Sequence, residues 1–149
     1  MSIRLFHNEK LLLKTLRYVH ALFRGLVILL FILILTNTYL ITVQRVDGHS
    51  MDPTLKNGQL LPVNLTAYWF KAPQTNDIVI VRYAGDASIR FVKRIIYGPG
   101  ENVSYHGSII TLTADQYFVE GDNRDFSTDS RAYGPITKSQ IMGKVLGVK

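Results

Sequence analysis

The chain has no cysteine. That excludes a disulfide scaffold, a thiol nucleophile and any thiolate metal site, and leaves the redox compartment open. Acidic residues are scarce at the start. Residues 1–24 carry Arg4, Lys10, Lys14, Arg17 and Arg24 against Glu9 alone, a balance of +4. Residues 45–149 carry 12 basic and 10 acidic groups, a balance of only +2. The net charge of +6 is therefore mostly a terminal patch, which argues against a basic, nucleic-acid-binding domain. Internal repeats and low-complexity tracts are absent, and 47% hydrophobic residues exclude a disordered chain. A length of 149 residues supports one modest domain.

Between the two charged regions lies GLVILLFILILTNTYLITV, residues 25–43, without a charged side chain. As a helix it would extend about 28 Å, enough for a bilayer core of about 30 Å. A buried core helix normally keeps a polar stripe, and residues 26–35 have none. A cleavable leader is disfavoured by the long basic segment ahead and the lack of a small-x-small site behind. The positive-inside bias then puts the N-terminus in the cytoplasm and residues 44–149 outside, as a single-pass membrane protein. Residues 1–24, which mix Leu11, Leu12, Leu13, Leu16, Val19 and Phe23 with charges, suit either an interfacial helix on anionic lipid or a disordered tail.

Beyond Gln44 the texture becomes short, β-branched runs between turns, and no ten-residue helical period appears. Strands are expected at 77–83, 89–97, 101–105, 108–112, 117–120 and 141–148, with a hairpin turn at His106-Gly107. Residues 121–134 read as a polar loop. The outer region is therefore mainly β. Tyr68-Trp69-Phe70, followed by Lys71, suits either the lipid interface or ordinary core.

Alternation on the second long strand places Lys93 in line with Ile89, Phe91 and Ile95. Such a lysine either snorkels to water or sits desolvated, where its neutral form is favoured and it can act as a base. Ser50, within Gly48-His49-Ser50-Met51-Asp52-Pro53, is either a turn cap or a nucleophile. No acid–histidine pairing is evident to activate it, and His49 points away in an extended backbone. Lys93 is the better candidate base.

Three blocks, VDGHSMDPTL (46–55), RFVKRI (90–95) and GDNRDFSTDSRAYG (121–134), resemble the signature blocks of the type I signal peptidases. The resemblance covers residues 44–149 and implies a small antiparallel β catalytic domain behind a single transmembrane α-helix. It implies a Ser50/Lys93 dyad that removes signal peptides from exported preproteins, with no metal or cofactor. By position, Ser127 matches a serine that orients the lysine amine. Asp129 and Arg131 match a supporting pair, and Asp122 belongs to the same block. Val46, Met51, Leu55, Phe91 and Val92 match the lining of pockets for small residues before the cut. A second oxyanion donor is not identified, since Gly48 stands where some members carry a serine. Arg94 is expected in a supporting or surface role. The short 94–120 connection leaves room for little more than a hairpin.

Two other readings compete. One is a non-catalytic relative that assembles or chaperones a surface structure such as a pilus. The other, a self-cleaving repressor, would need a DNA-binding helix-turn-helix where this chain has an apolar segment.

Overall fold

The computed structural model describes residues 2–83, 85 and 88–148, with side chains from Leu13 onward except those of residues 36–39. The expected turn at 84–88 thus lies largely outside the described residues, as do the side chains at the start of the basic leader. The chain divides into two units, residues 1–39 and 40–149.

The first unit is one helix, α1 (Ser2–Leu40), with no break at the Arg24–Gly25 boundary. Its most apolar stretch is Leu13–Leu35, 23 residues whose mean hydropathy reaches 2.4 over an 18-residue window, and none of its residues is buried. That length and composition suffice to cross a membrane. The helix does not continue to Val43, as the uncharged run suggested. Ile41, Thr42 and Val43 are all β-branched and begin β1 (Ile41–Arg45), where pairing with β2 (Leu60–Asn64) supplies their backbone bonds.

The second unit is built on a curled, antiparallel, seven-stranded sheet. Its remaining strands are β3 (Ile78–Arg82), β4 (Arg90–Tyr97), β7 (Gln116–Glu120), β8 (Ile136–Thr137) and β9 (Ile141–Val145). The spatial order is β1-β2-β9-β3-β4-β7-β8. The strands β5 (Asn102–Tyr105) and β6 (Ser108–Thr111) form a separate hairpin, the one expected between Lys93 and the third block. Its turn has positive φ at both His106 (49°) and Gly107 (78°), the twist-matched form that glycine makes easy.

Strand β3 explains how a small sheet holds two cores. Ile78 and Ile80 face one cluster with Val46, Met51, Leu55, Leu61, Val63 and Val145. Val79 and Val81 face another with Ile95, Tyr117, Val119 and Ile136. The first four of the five β3 residues are buried, because the strand is covered on both faces there. The hairpin adds a third cluster, Val103 and Leu112 on Phe118.

Several elements went unforeseen. β2 has the sequence LLPVN, and Pro62 argues against a strand, yet its carbonyl still accepts from the Leu146 N–H at 2.8 Å. The expected loop at 121–134 contains a 3-10 turn at Arg124–Phe126 and a one-turn helix, α2 (Ser130–Tyr133), capped by Asp129. Both depend on side-chain bonding that periodicity does not report.

Replacing Ile95, fully buried, with Ala should cost about 2–5 kcal/mol in chemical denaturation. Ile109→Ser, at an exposed hairpin position, should stay within about 0.5 kcal/mol. Equal losses would contradict the assignment of the core to the β3–β4–β7 face.

Candidate active site

Alternation along β4 turns Lys93 and Ile95 into the second core, and Lys93 is 2% exposed. Its neighbour across the ladder is Val79, and its amine lies 5.7 Å from the Phe91 ring centre. Burial lowers the Lys93 pKa from the ordinary lysine value. The Asp129 carboxylate partly opposes that shift, and Arg131 adds to it. The amine does not snorkel to water. It donates to Ser50 Oγ at 2.9 Å.

Ser50 sits half-buried on the turn after β1, and its loop is held from both sides. Met51 and Leu55 are buried in the first core, joined by a Leu55 N–H to Met51 carbonyl bond of 2.9 Å. On the other side, Asn123 donates its backbone N–H to the Ser50 carbonyl and its side-chain amide to the His49 carbonyl, each at 3.0 Å. The His49 ring is paired with Asp52, Nδ1 to Oδ2 at 2.8 Å. That acid–histidine pair was not foreseen, and it directs the imidazole to Asp52, while Lys93 takes the serine.

Asp129 organises the facing loop. Its side chain is fully buried and accepts from Ser127 Oγ (2.6 Å), Gly121 N (2.9 Å), Arg131 N (3.2 Å), and Arg131 Nε and Nη2 (2.9 Å each). Burial alone would raise its pKa, but bonds from Arg131, Ser127 and the two backbone N–H groups prevail and bring it to about 2. The adjacent Ser130, also buried, accepts the Val119 N–H at 3.0 Å and ties the loop to β7.

The structure brings Ser50, Lys93, Ser127, Asp129 and Arg131 into one neighbourhood. Asp122 does not join the Asp129 cluster. It receives a two-pronged bond from Arg94, Nε to Oδ1 and Nη2 to Oδ2, both 2.8 Å. Thr54 also bonds Asp122, so the pair links β4, the Ser50 loop and the third block. Burial opposes ionisation of Asp122, and the Arg94 and Thr54 bonds outweigh it, leaving its pKa lowered. Of the two roles expected for Arg94, the supporting one fits this bracing.

The five expected pocket residues do not line one cavity. Val46, Met51 and Leu55 are buried in the first core, and Val92 packs against them on the face opposite Lys93. Phe91 shares the Lys93 face and borders a cavity of about 250 Å³ with Tyr83, Tyr133, Ile136 and Gln140. Tyr83 meets both Phe91 and Tyr133 edge-on at 6.2 Å. Among the described residues, no group of three or more His, Asp or Glu side chains is placed to hold a metal ion.

Sequence reasoning passed over Gly121. A Cβ there would collide with Ser127 Oγ and with the Ser50 carbonyl oxygen. The glycine is thus the point where the two loops of the site touch. Its signal was the Gly-Asp-Asn start of the third block, but only the tertiary contact explains it.

A hydroxyl hydrogen-bonded to a desolvated amine is an arrangement that serine-peptidase chemistry can use. The sequence profile described as signal peptidase, peptidase S26, matches residues 18–114 and 109–148. Signal peptidase IB of Staphylococcus aureus (strain COL) is 30% identical over 155 residues, covering 76% of this chain and 80% of that protein. Mitochondrial inner membrane protease subunit 1 of Xenopus tropicalis is 34% identical over 106 residues, covering 66% and 63%. The chain belongs to the signal peptidase family, peptidase S26.

Gly121→Ala should lower kcat/KM by about 100-fold, because an ångström of displacement at a reacting pair is that costly. The denaturation midpoint should fall by the equivalent of about 1–3 kcal/mol. Wild-type turnover in this variant would contradict the close approach of the two loops.

Proposed function

We propose that this protein removes signal peptides from exported preproteins, with Ser50 as nucleophile and Lys93 as general base. The observation that carries this reading is the 2.9 Å bond between Ser50 Oγ and a lysine that is 2% exposed. In its neutral form Lys93 takes the Ser50 proton as Oγ attacks the scissile carbonyl. The resulting ammonium protonates the departing amine, leaving an acyl-enzyme. Lys93 then deprotonates the water that releases the acyl group and returns the proton to Ser50.

Asp129, held ionised, fixes Ser127 and Arg131 beside the amine. A carboxylate saturated by five donors stays a positioner and leaves the proton transfer to Lys93. The Ser50 backbone N–H is the first oxyanion donor in this reading. Gly48 offers no hydroxyl for the second, and its N–H is committed to Asn57 Oδ1 at 3.1 Å. Of the five expected pocket residues, Phe91 shares the face of the Lys93 amine and would bound the space for small residues before the cut. No metal or organic cofactor enters these steps. The helix anchors the unit, with the basic leader cytoplasmic and residues 44–149 on the outer face.

The assembly-factor reading is less favoured, since such a protein has no use for a buried lysine bonded to a serine.

Purified protein in lipid should cleave a preprotein. Ser50→Ala and Lys93→Ala should each lower kcat/KM at least about 10⁴-fold, and the double variant scarcely further, because the two act as a unit. An intact preprotein with the wild type would promote the assembly factor, and cleavage surviving Ser50→Ala would sink the mechanism. For pH the sign follows from the base. The protonated amine is inactive and its pKa is lowered, so activity should rise from neutral toward alkaline pH, with its limb below the ordinary lysine value of about 10.4. A profile peaking below neutrality would contradict a lysine base.

A further inference from the structure

The peptide that joins His49 to Ser50 is gripped by the third block. Across a trans peptide the carbonyl and the N–H point in opposite directions. The His49 carbonyl and the Ser50 N–H are therefore two ends of one rigid plate, and whatever fixes the carbonyl aims the N–H. Two groups fix it: the Asn123 side-chain amide at 3.0 Å and, from within the loop, the Asp52 N–H at 3.3 Å. A carbonyl oxygen only accepts, so the Asn123 amide turns its nitrogen toward it.

Asn123 is itself held in place for that reach. Its own N–H donates to the Ser50 carbonyl at 3.0 Å, so it grips the chain on each side of the Ser50 Cα. Its carbonyl accepts the Phe126 N–H at 3.1 Å, closing the 3-10 turn that follows. Arg131 Nη2 donates to the Arg124 carbonyl of the same turn at 2.8 Å, so the ion pair with Asp129 also steadies Asn123. The chain ahead of His49 supplies little restraint of its own. Gly48 stands at a φ of 91°, and a Cβ there would meet nothing within 4 Å.

We propose that Asn123 is the positioning residue of the oxyanion site: by bonding the His49 carbonyl it holds the Ser50 N–H toward the carbonyl oxygen of the substrate. Two effects follow. The peptide is kept from rotating, so the donor needs no reorganisation as charge develops on the oxygen. A hydrogen bond on the carbonyl also polarises the peptide and makes its N–H a better donor. Both count for more here than in a site with several donors, because Gly48 brings no hydroxyl and its N–H is committed to Asn57 Oδ1. Asn123 acts through the peptide and leaves the proton transfer to Lys93. The inference rests on reading Ser50 as the nucleophile.

His49–Ser50 is the single His-Ser step in the chain. Full-length protein in detergent, labelled with carbonyl-13C histidine and 15N serine, therefore gives one carbonyl–amide cross-peak, from this peptide. Asn123→Leu keeps the branched shape without the donor, and Asn123→Ala removes the side chain; both keep the backbone bonds. Each should move the His49 carbonyl resonance upfield and lower kcat about tenfold with KM little changed. The second probe is a peptide aldehyde. Ser50 Oγ bonds its carbonyl carbon, the hydroxyl proton passes to Lys93, and the carbonyl oxygen becomes an oxyanion. Either variant should bind the aldehyde about tenfold more weakly than the wild type does, and bind the corresponding peptide alcohol, which forms no oxyanion, equally well. The pH limb assigned to Lys93 should stay in place. An unmoved resonance, or equal weakening of aldehyde and alcohol, would overturn the proposal. So would a displaced pH limb, which would mean that Asn123 acts through the amine. A wild-type protein to which the aldehyde does not add overturns the Ser50 reading and this one with it; variants that bind the aldehyde as tightly as the wild type overturn this one alone.

Discussion

The interaction on which the site depends is the seating of the Lys93 amine inside an apolar face of the sheet, in contact with one hydroxyl. A lysine in water would keep its proton and be useless as a base near neutral pH. Here Val79, Ile95 and Phe91 remove water, and the bond to Ser50 gives the amine one polar partner. Desolvating an amine is costly, so the surrounding strands have to be rigid enough to keep water from returning. β3, covered on both faces, and β4 beside it provide that rigidity.

The second requirement is electrostatic balance close to that amine. A carboxylate nearby favours the ammonium over the neutral amine. Asp129 is such a carboxylate, and Arg131 pairs with it through two nitrogens. The ion pair presents little net charge to Lys93, while its remaining capacity holds Ser127 and the Gly121 N–H. Arg94 and Asp122 do different work, bracing the Ser50 loop against β4. Two carboxylates of one polar block, Asp122 and Asp129, thus serve two ends of the site through separate ion pairs.

Much of this was legible in residue order. Alternation placed Lys93 among apolar neighbours, the His106-Gly107 turn announced its hairpin, and the three blocks marked the site. What escaped has physical causes. β2 was hidden by Pro62, which local propensity counts against a strand and a tertiary neighbour tolerates. The helix was expected to run to Val43 because Ile41, Thr42 and Val43 carry no charge, like the span; hydropathy does not register the β-branching that, with β2 alongside, makes them a strand. Gly121 and Asn123 matter through contacts with Ser50 seventy-odd positions away, for which no local pattern exists.

By itself the sequence determined the class of elements, the apolar helix, and the face on which Lys93 lies, because each follows from periodicity and from side-chain solubility. The tertiary structure alone decided which hydroxyl the amine meets. It also decided that Asp129 and Asp122 belong to separate pairs, that the first three pocket residues pack into core, and that Trp69 and Phe70 face outward. Those outcomes depend on which strands become neighbours, and hydrogen bonds and burial act only between groups that folding has brought within a few ångströms.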